Sequence, residues 1–277
     1  MGKNLEYSLQ FLGSGNAWSK PPVNFNNNVL LEVSGLRYLI DCGNLCPLAL
    51  HVRGISLGDI DGVCVTHLHG DHINGLEELL FYNYFYLGCR RIELCSPRGL
   101  FTRYSGIEGE DLWENCLRGT FEFRREGGER VGLEEFVNLR LLSEKERFTI
   151  GELALSYFAV EHVPGKPCYG IEFDDRIVYT SDCVFSPLML EEFFNKGVQL
   201  VFHDVSFERP TQFGVHCCFE ELMTLPREMA ERIVLMHFGD ATTSQQFAKA
   251  LDYGFRLAEC GQRFNFKADL GETNDSM

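Results

Sequence analysis

Apolar positions along this chain come in short runs punctuated by Gly, Pro, Asn and Asp, a pattern that predicts strands alternating with helices. Tyr7–Leu12, Val29–Val33 and Arg37–Ile40 are the strands of an opening sheet, with Ser34-Gly35 as a hairpin turn and Asp41-Cys42-Gly43 closing the third. Leu45–Arg53 is weakly helical, and Ile60–Thr66 is a buried strand. Ile73–Tyr86 places Ile73, Leu76, Leu79, Leu80 and Tyr84 at helical spacing, and Arg91–Cys95 is a strand stopped by Ser96-Pro97. In the second half Leu153–Val160 is a strand, and Tyr169–Phe173 and Arg176–Thr180 form a hairpin around Asp174-Asp175. A helix runs from Pro187 to about Asn195, strands cover Leu200–Phe202 and Arg232–Met236, and a final helix covers Thr243–Leu251. Residues 98–147, richer in charge, predict helices and a surface loop inserted between the two halves of a single domain spanning 1–277. The expected class is α/β.

One stretch in this pattern carries chemistry: Thr66-His67-Leu68-His69-Gly70-Asp71-His72. It follows a strand and precedes a helix. Alternate residues of an extended segment project to one side, so His67 and His69 can grip one ion together. The chain then turns into a helix, and Asp71 and His72 point toward a second ion nearby. Imidazole and carboxylate are ligands that a borderline divalent metal such as zinc accepts. His162, Asp182, His203 and His237 also follow apolar runs, and strand ends gather at one edge in layered α/β folds, where ligands bind. Tyr82, Tyr84 and Tyr86 have a spacing that fits a core stripe better than a platform for a base, and Asn26–Asn28 fit a plain loop.

Composition narrows the function classes. The chain has 277 residues, 45% of them hydrophobic and 23% charged, as in ordinary soluble domains. No apolar run is long enough to span a membrane, and the N-terminus lacks a secretory signal. The 11 cysteines form no C-x-x-C pair and predict free thiols in a reducing, cytoplasmic setting. A net charge of −15 repels nucleic acid backbones but admits a small anion at a metal-rich site.

The motif H-x-H-x-D-H, with later single ligands in order, resembles the metallo-β-lactamase superfamily. Phe11-Leu12-Gly13-Ser14-Gly15 and Leu39-Ile40-Asp41-Cys42-Gly43 resemble it too. The resemblance implies an αββα sandwich with a dinuclear metal site at one edge of the sheets. His67, His69 and His162 would take one ion, and Asp71, His72 and His237 the other, with Asp182 bridging. Two divalent metal ions are implied, with zinc expected and manganese the alternative. His203-Asp204-Val205-Ser206 and Gly214-Val215-His216-Cys217 resemble motifs of the phosphodiesterase branch. The Gly-Val-His version is most similar to anti-Pycsar-type cyclic-nucleotide phosphodiesterases, and tRNase Z is a more distant likeness. Phages use the former to destroy a host immune signal, bacteria carry relatives, and the family is homodimeric.

The expected reaction is therefore hydrolysis of a small 3′,5′-cyclic mononucleotide to the monophosphate. A dinuclear site lowers the pKa of bound water to about 7 and holds the attacking and leaving oxygens. Asp71 is both a ligand and a group that can orient or deprotonate the nucleophile. His216, supported by Asp204 or His203, is the group expected to protonate the leaving oxygen. His203 fits equally well as a support behind a ligand. tRNA 3′-end cleavage is the alternative, disfavoured by the charge and by the tight hairpin that fills the interval between His162 and Asp182, where tRNase Z commonly carries its RNA-gripping arm. A nucleotide-binding metalloprotein without turnover is a further alternative, as is hydrolysis of a lactone or thioester.

Overall fold

In the strand β1 (Lys3–Phe11) of the computed structural model, Leu5, Tyr7, Leu9 and Phe11 turn inward while Glu6 faces solvent, the two-residue period of a half-buried strand. Residues 3–101, 121, 123–208 and 214–270 are described. β2 (Val29–Val33) and β3 (Leu36–Ile40) follow antiparallel. Ser34 and Gly35 both take left-handed φ at the turn between them, as the sequence predicts. β4 (Gly62–Cys64) and β5 (Ile92–Pro97) add in parallel to β3. A small ribbon of β6 (Phe123–Arg124) and β7 (Arg130–Val131) precedes β8 (Val137–Leu142), which pairs in parallel with β5. The second sheet holds β9 (Arg147–Ile150), β10 (Leu153–Val160), β11 (Cys168–Phe173), β12 (Ile177–Tyr179), β13 (Leu200–Asp204), β14 (Ile233–Met236) and β15 (Arg256–Leu257). β16 (Arg263–Leu270) returns to the first sheet beside β1, giving the order β16-β1-β2-β3-β4-β5-β8. The second sheet runs β15-β14-β13-β12-β11-β10-β9.

Three apolar clusters define the layers. One lies between the sheets and draws on both, from Leu9 and Phe11 to Tyr157, Ile171 and Phe202. A second packs the helices Cys46–His51, Gly70–Ile73 and Leu76–Phe81 against the outer face of the first sheet. The third packs Pro187–Asn195, Phe219–Leu222, Arg227–Ala230 and Ser244–Tyr253 on the second. This is the αββα sandwich expected. β10, β12, β13 and β14 all run in one direction, because β11 is antiparallel to both β10 and β12 and the rest are parallel. Their C-terminal ends thus share one edge.

Four departures from the sequence reading have physical causes. The helix expected over Ile73–Tyr86 is broken at Gly75, whose neighbourhood has no room for a side chain: a Cβ there would meet the carbonyl oxygen of Gly43 at 2.3 Å. The helix resumes as Leu76–Phe81 and ends in a π-turn over Tyr82–Tyr86. The buried strand expected over Ile60–Thr66 is ladder-paired only over Gly62–Cys64. The stretch 98–147 is not wholly an insertion of helices and loop, since Val137–Leu142 completes the first sheet; residues 102–120 and 122 lie outside those described. β16, absent from the sequence reading, shows the alternation that reveals it: Phe264, Phe266 and Ala268 turn in while Arg263, Asn265 and Lys267 turn out.

Candidate metal centre

Thr66 begins the site. Its N–H donates to Asp41 Oδ1 (2.8 Å) and its hydroxyl to Asp41 Oδ2 (2.7 Å), which ties the end of β4 to the end of β3. The chain then passes through His67 and enters a helical turn at Gly70, with His69 as N-cap. Asn28 braces this turn, donating to the Asp71 carbonyl (3.2 Å) while its Oδ1 accepts from Gly43 N–H (2.6 Å). A Cβ on Gly43 would fall 1.7 Å from the Asp71 carbonyl oxygen, so only glycine allows this approach.

Hydrogen bonding fixes which ring nitrogen each histidine presents. His162 Nδ1 lies 2.7 Å from the Val215 carbonyl, which can only accept, so Nδ1 carries the proton and Nε2 is bare. Thr66 has its hydroxyl hydrogen committed to Asp41, so at 3.1 Å it accepts from His67 Nδ1, and His67 Nε2 is bare. His72 Nδ1 sits 2.8 Å from Asp41 Oδ2, and His237 Nδ1 faces Asp204 Oδ1 at 3.3 Å as a charge contact rather than a hydrogen bond. Each turns Nε2 inward, in the arrangement by which an acceptor behind a histidine orients it as a ligand. His69 instead presents Nδ1, which lies 3.1 Å from both His67 Nε2 and His162 Nε2.

Two nests result, and they share one carboxylate. His67, His69, His162 and Asp182 form the first, and Asp71, His72, His237 and Asp182 the second, with ligand atoms in each within 4.8 Å of one another. Asp182 Oδ2 stands 3.7 Å from His67 Nε2 and 3.4 Å from His237 Nε2. Its Oδ1 stands 3.4 Å from His72 Nε2. Asp71 Oδ2 lies 3.4 Å from both His72 Nε2 and His237 Nε2. His72 Nε2 and Asp182 Oδ1 are buried without a hydrogen-bond partner, an arrangement that costs stability unless a cation meets them.

The electrostatics fit a divalent cation. Burial, then neighbouring imidazoles, push His67 well down and His69 to about 4, so both rings keep free lone pairs. Burial opposes ionisation of Asp71 and Asp182, yet the surrounding histidines hold both below the usual carboxylate range. Against burial, Asp182 raises His72 and pushes His237 up to about 10. The carboxylates thus draw positive charge into the spot where a cation would supply it. Nitrogen and carboxylate donors of this kind fit a divalent metal ion.

Beside the nests lies a pair from the second sheet. His216 Nδ1 is 2.8 Å from Asp204 Oδ2, which also accepts from Cys183 N–H at 3.0 Å. The His216 ring packs 4.8 Å from that of His162 and 5.0 Å from that of His237. Its side chain is 30% exposed, whereas the nest residues other than the half-buried His69 are buried. Burial lowers its proton affinity, but Asp204 more than offsets this and raises it. His203 is not brought to this group. Its Nδ1 donates to the Asp204 carbonyl (2.7 Å) and its Nε2 faces Cys183 Sγ at 3.9 Å, so it is buried behind the site.

Sequence reasoning missed the supports. Asp41, Thr66 and Asn28 hold the ligand loop, and the only signals were Asp41 at the end of an apolar run and the polar Asn26–Asn28 triplet within a chain that turns buried on either side. Asp41, Ser181 and His237 each leave a strand with left-handed φ, at 63°, 56° and 65°. For residues other than glycine such strain concentrates at working sites.

Comparison with known proteins gives the family and the fold. The family model for the anti-Pycsar protein Apyc1 matches residues 7–264. The chain is 38% identical over 234 residues to an anti-Pycsar protein Apyc1 of Paenibacillus sp. (strain J14), covering 84% of this chain and 89% of that one. It is 35% identical over 243 residues to the protein of the same name from Bacillus phage 010DV004, again covering 84% and 89%. Among solved structures, the metallo-β-lactamase fold protein YhfI from Bacillus subtilis superposes with a TM-score of 0.69 at 15% identity, over 94% of this chain and all of that one. With a model match over most of its length and relatives at this identity, the chain belongs to the anti-Pycsar protein Apyc1 family.

Proposed function

We propose that this protein is a metal-dependent phosphodiesterase that hydrolyses a 3′,5′-cyclic mononucleotide to the nucleoside monophosphate and so counters a cyclic-nucleotide immune signal. The family supports this reading, and one observation carries it: two ligand nests share Asp182, and a partly exposed histidine bonded to a buried carboxylate stands against both. His67, His69 and His162 would hold one ion and Asp71, His72 and His237 the other, with Asp182 between them. The nitrogen-rich donor set favours zinc. Divalent cations bound there supply Lewis acidity toward phosphoryl oxygens and acidify water.

The chain's own groups do the rest. Asp71 orients water toward phosphorus and takes up its proton. His216, held by Asp204, passes a proton to the ester oxygen as its bond to phosphorus breaks. A new oxygen–phosphorus bond replaces the broken one, the ring opens, and the monophosphate leaves. His203 positions Asp204 through the backbone and has no direct part. The reading treats the chain as a single domain that acts as a homodimer in the cytoplasm. The free state of every described cysteine fits that reducing compartment, and no helix among the described residues is long and apolar enough to cross a membrane.

The test is a panel of cyclic mono- and dinucleotides and a precursor tRNA, with bound metal measured on the same preparation. Cyclic mononucleotides should open and Asp71→Ala should abolish turnover. Cleavage of the tRNA alone, or full turnover by Asp71→Ala, would overturn the assignment.

A further inference from the structure

Trp18 is the most solvent-exposed large apolar side chain among the described residues, 83% accessible, yet the turn that carries it is tightly built. The Ser19 N–H closes that turn onto the Asn16 carbonyl at 3.1 Å. Asn16 Oδ1 accepts from Trp18 N–H at 3.0 Å, and Asn26 Nδ2 donates to the Asn16 carbonyl at 3.1 Å. A Cβ on Gly15 would fall 2.2 Å from Ser19 Oγ, so the turn has little room to rearrange. Its ends are fastened to the segment that follows the ligand His237: Asn16 N–H donates to the Phe238 carbonyl (3.2 Å), and Lys20 N–H donates to Asp240 Oδ2 (2.8 Å).

An indole left in water on a preorganised turn does not serve packing. We infer that Trp18 is the stacking platform for the nucleobase, at the rim of the site on the His237 side. The inference rests on the proposed cyclic-nucleotide activity and adds the residue that recognises the base. A fixed turn spares the backbone ordering that stacking would otherwise require, and stacking on an aromatic face accepts any base. The tyrosines considered from sequence are placed elsewhere, the Tyr86 ring stacking on that of Tyr82 at 5.2 Å. Tyr84 is buried, bonded to Glu135, and the Tyr82 ring would touch a Cβ on Gly58, in the turn that leads into the start of β4 rather than at the end of β4, where His67 lies.

The test uses the full chain with Trp113, the second of the 2 tryptophans, replaced by Phe so that Trp18 is the sole indole. A nucleoside 5′-monophosphate should quench its emission beyond the quench seen with free tryptophan amide, and ribose 5-phosphate should not. In steady state, Trp18→Ala should raise KM for a cyclic mononucleotide about tenfold, the scale of one stacked base, with kcat changed less than threefold, and Trp18→Phe should recover most of the loss. An unquenched indole or an unchanged KM, in protein that still opens cyclic nucleotides, overturns the inference and leaves the activity standing. An emission that shifts with protein dilution and not with nucleotide assigns Trp18 to a contact between copies and also overturns it. If no cyclic nucleotide is turned over, the functional reading falls and this inference falls with it.

Discussion

His216 Nδ1 lies 2.8 Å from Asp204 Oδ2, and Asp204 Oδ1 lies 3.3 Å from Nδ1 of the ligand His237, so one buried carboxylate addresses both a proposed acid and a proposed metal ligand. His216→Ala removes the proposed acid and leaves every residue of the two nests in place. Its kcat on a cyclic nucleotide, whose leaving group is a poor alkoxide, should fall about 10²-fold or more. A p-nitrophenyl phosphodiester needs no proton on departure and should lose less than tenfold. Equal losses on both substrates would argue against proton donation.

Asp41 lies close to His67 and His72, but its Oδ2 is taken up by His72 Nδ1 (2.8 Å) and the Thr66 hydroxyl (2.7 Å), which suits a support behind His72. Asp41→Asn should keep the fold but weaken metal retention about 10–100-fold, the usual consequence of losing a group behind a ligand. Competition with a fluorescent chelator measures this directly, and retention equal to the parent protein would show the bond to His72 to be incidental.

Gly43 tests the approach of two loops. A methyl group there would lie 1.7 Å from the Asp71 carbonyl oxygen, so backbone must move. Gly43→Ala should destabilise by about 2–3 kcal/mol, as overpacking does, and should lower metal content as the Asp71 turn shifts. Urea unfolding read by circular dichroism, paired with elemental analysis, checks both effects.

Chelation should soften the protein. An ion present at about 1,000 times its dissociation constant contributes about 4 kcal/mol to the folded state. Removing it should lower Tm by roughly 8–16 °C for a chain of this size. Calorimetry with and without chelator, followed by readdition of zinc or manganese, checks the drop and its reversal.

Glu32 gives a pH dependence away from the site. Burial raises its proton affinity, but hydrogen bonds from Arg263 and Arg37 win and hold the carboxylate below its usual range. A carboxylate depressed on folding contributes stability above its unfolded pKa of about 4.3 and loses it as pH falls through the folded value. The three side chains are partly exposed, so the contribution is at most about 1 kcal/mol. Glu32→Gln should therefore lower stability slightly at pH 7 and not at all at pH 2.5, in urea titrations at the two values.

The legible part of this protein was local or terminal to a strand. His67 to His72 announced themselves because one turn of chain carries four donors, and His162, Asp182 and His237 because each ends an apolar run. Asp41, Thr66 and Asn28 did not, since short polar residues at strand ends and in loops are also ordinary turn formers. What makes them supports is a partner that only folding brings near: Asp71 for Asn28, Thr66 and His72 for Asp41. His203 shows the converse. It sits in a strand end among the ligands, yet its ring points to Cys183 rather than to the nests, because alternate residues of a strand face opposite ways. β8 and β16 escaped because edge strands carry a weak apolar signal, buried on one face only.

The two nests draw His67, His69, Asp71 and His72 from the first sheet and His162, Asp182 and His237 from the second. A chain leaving the ribosome therefore exposes one half of the cage well before the other exists. Ions bound there would act as a clasp, since the full set of donors exists only once the two halves of the molecule have met.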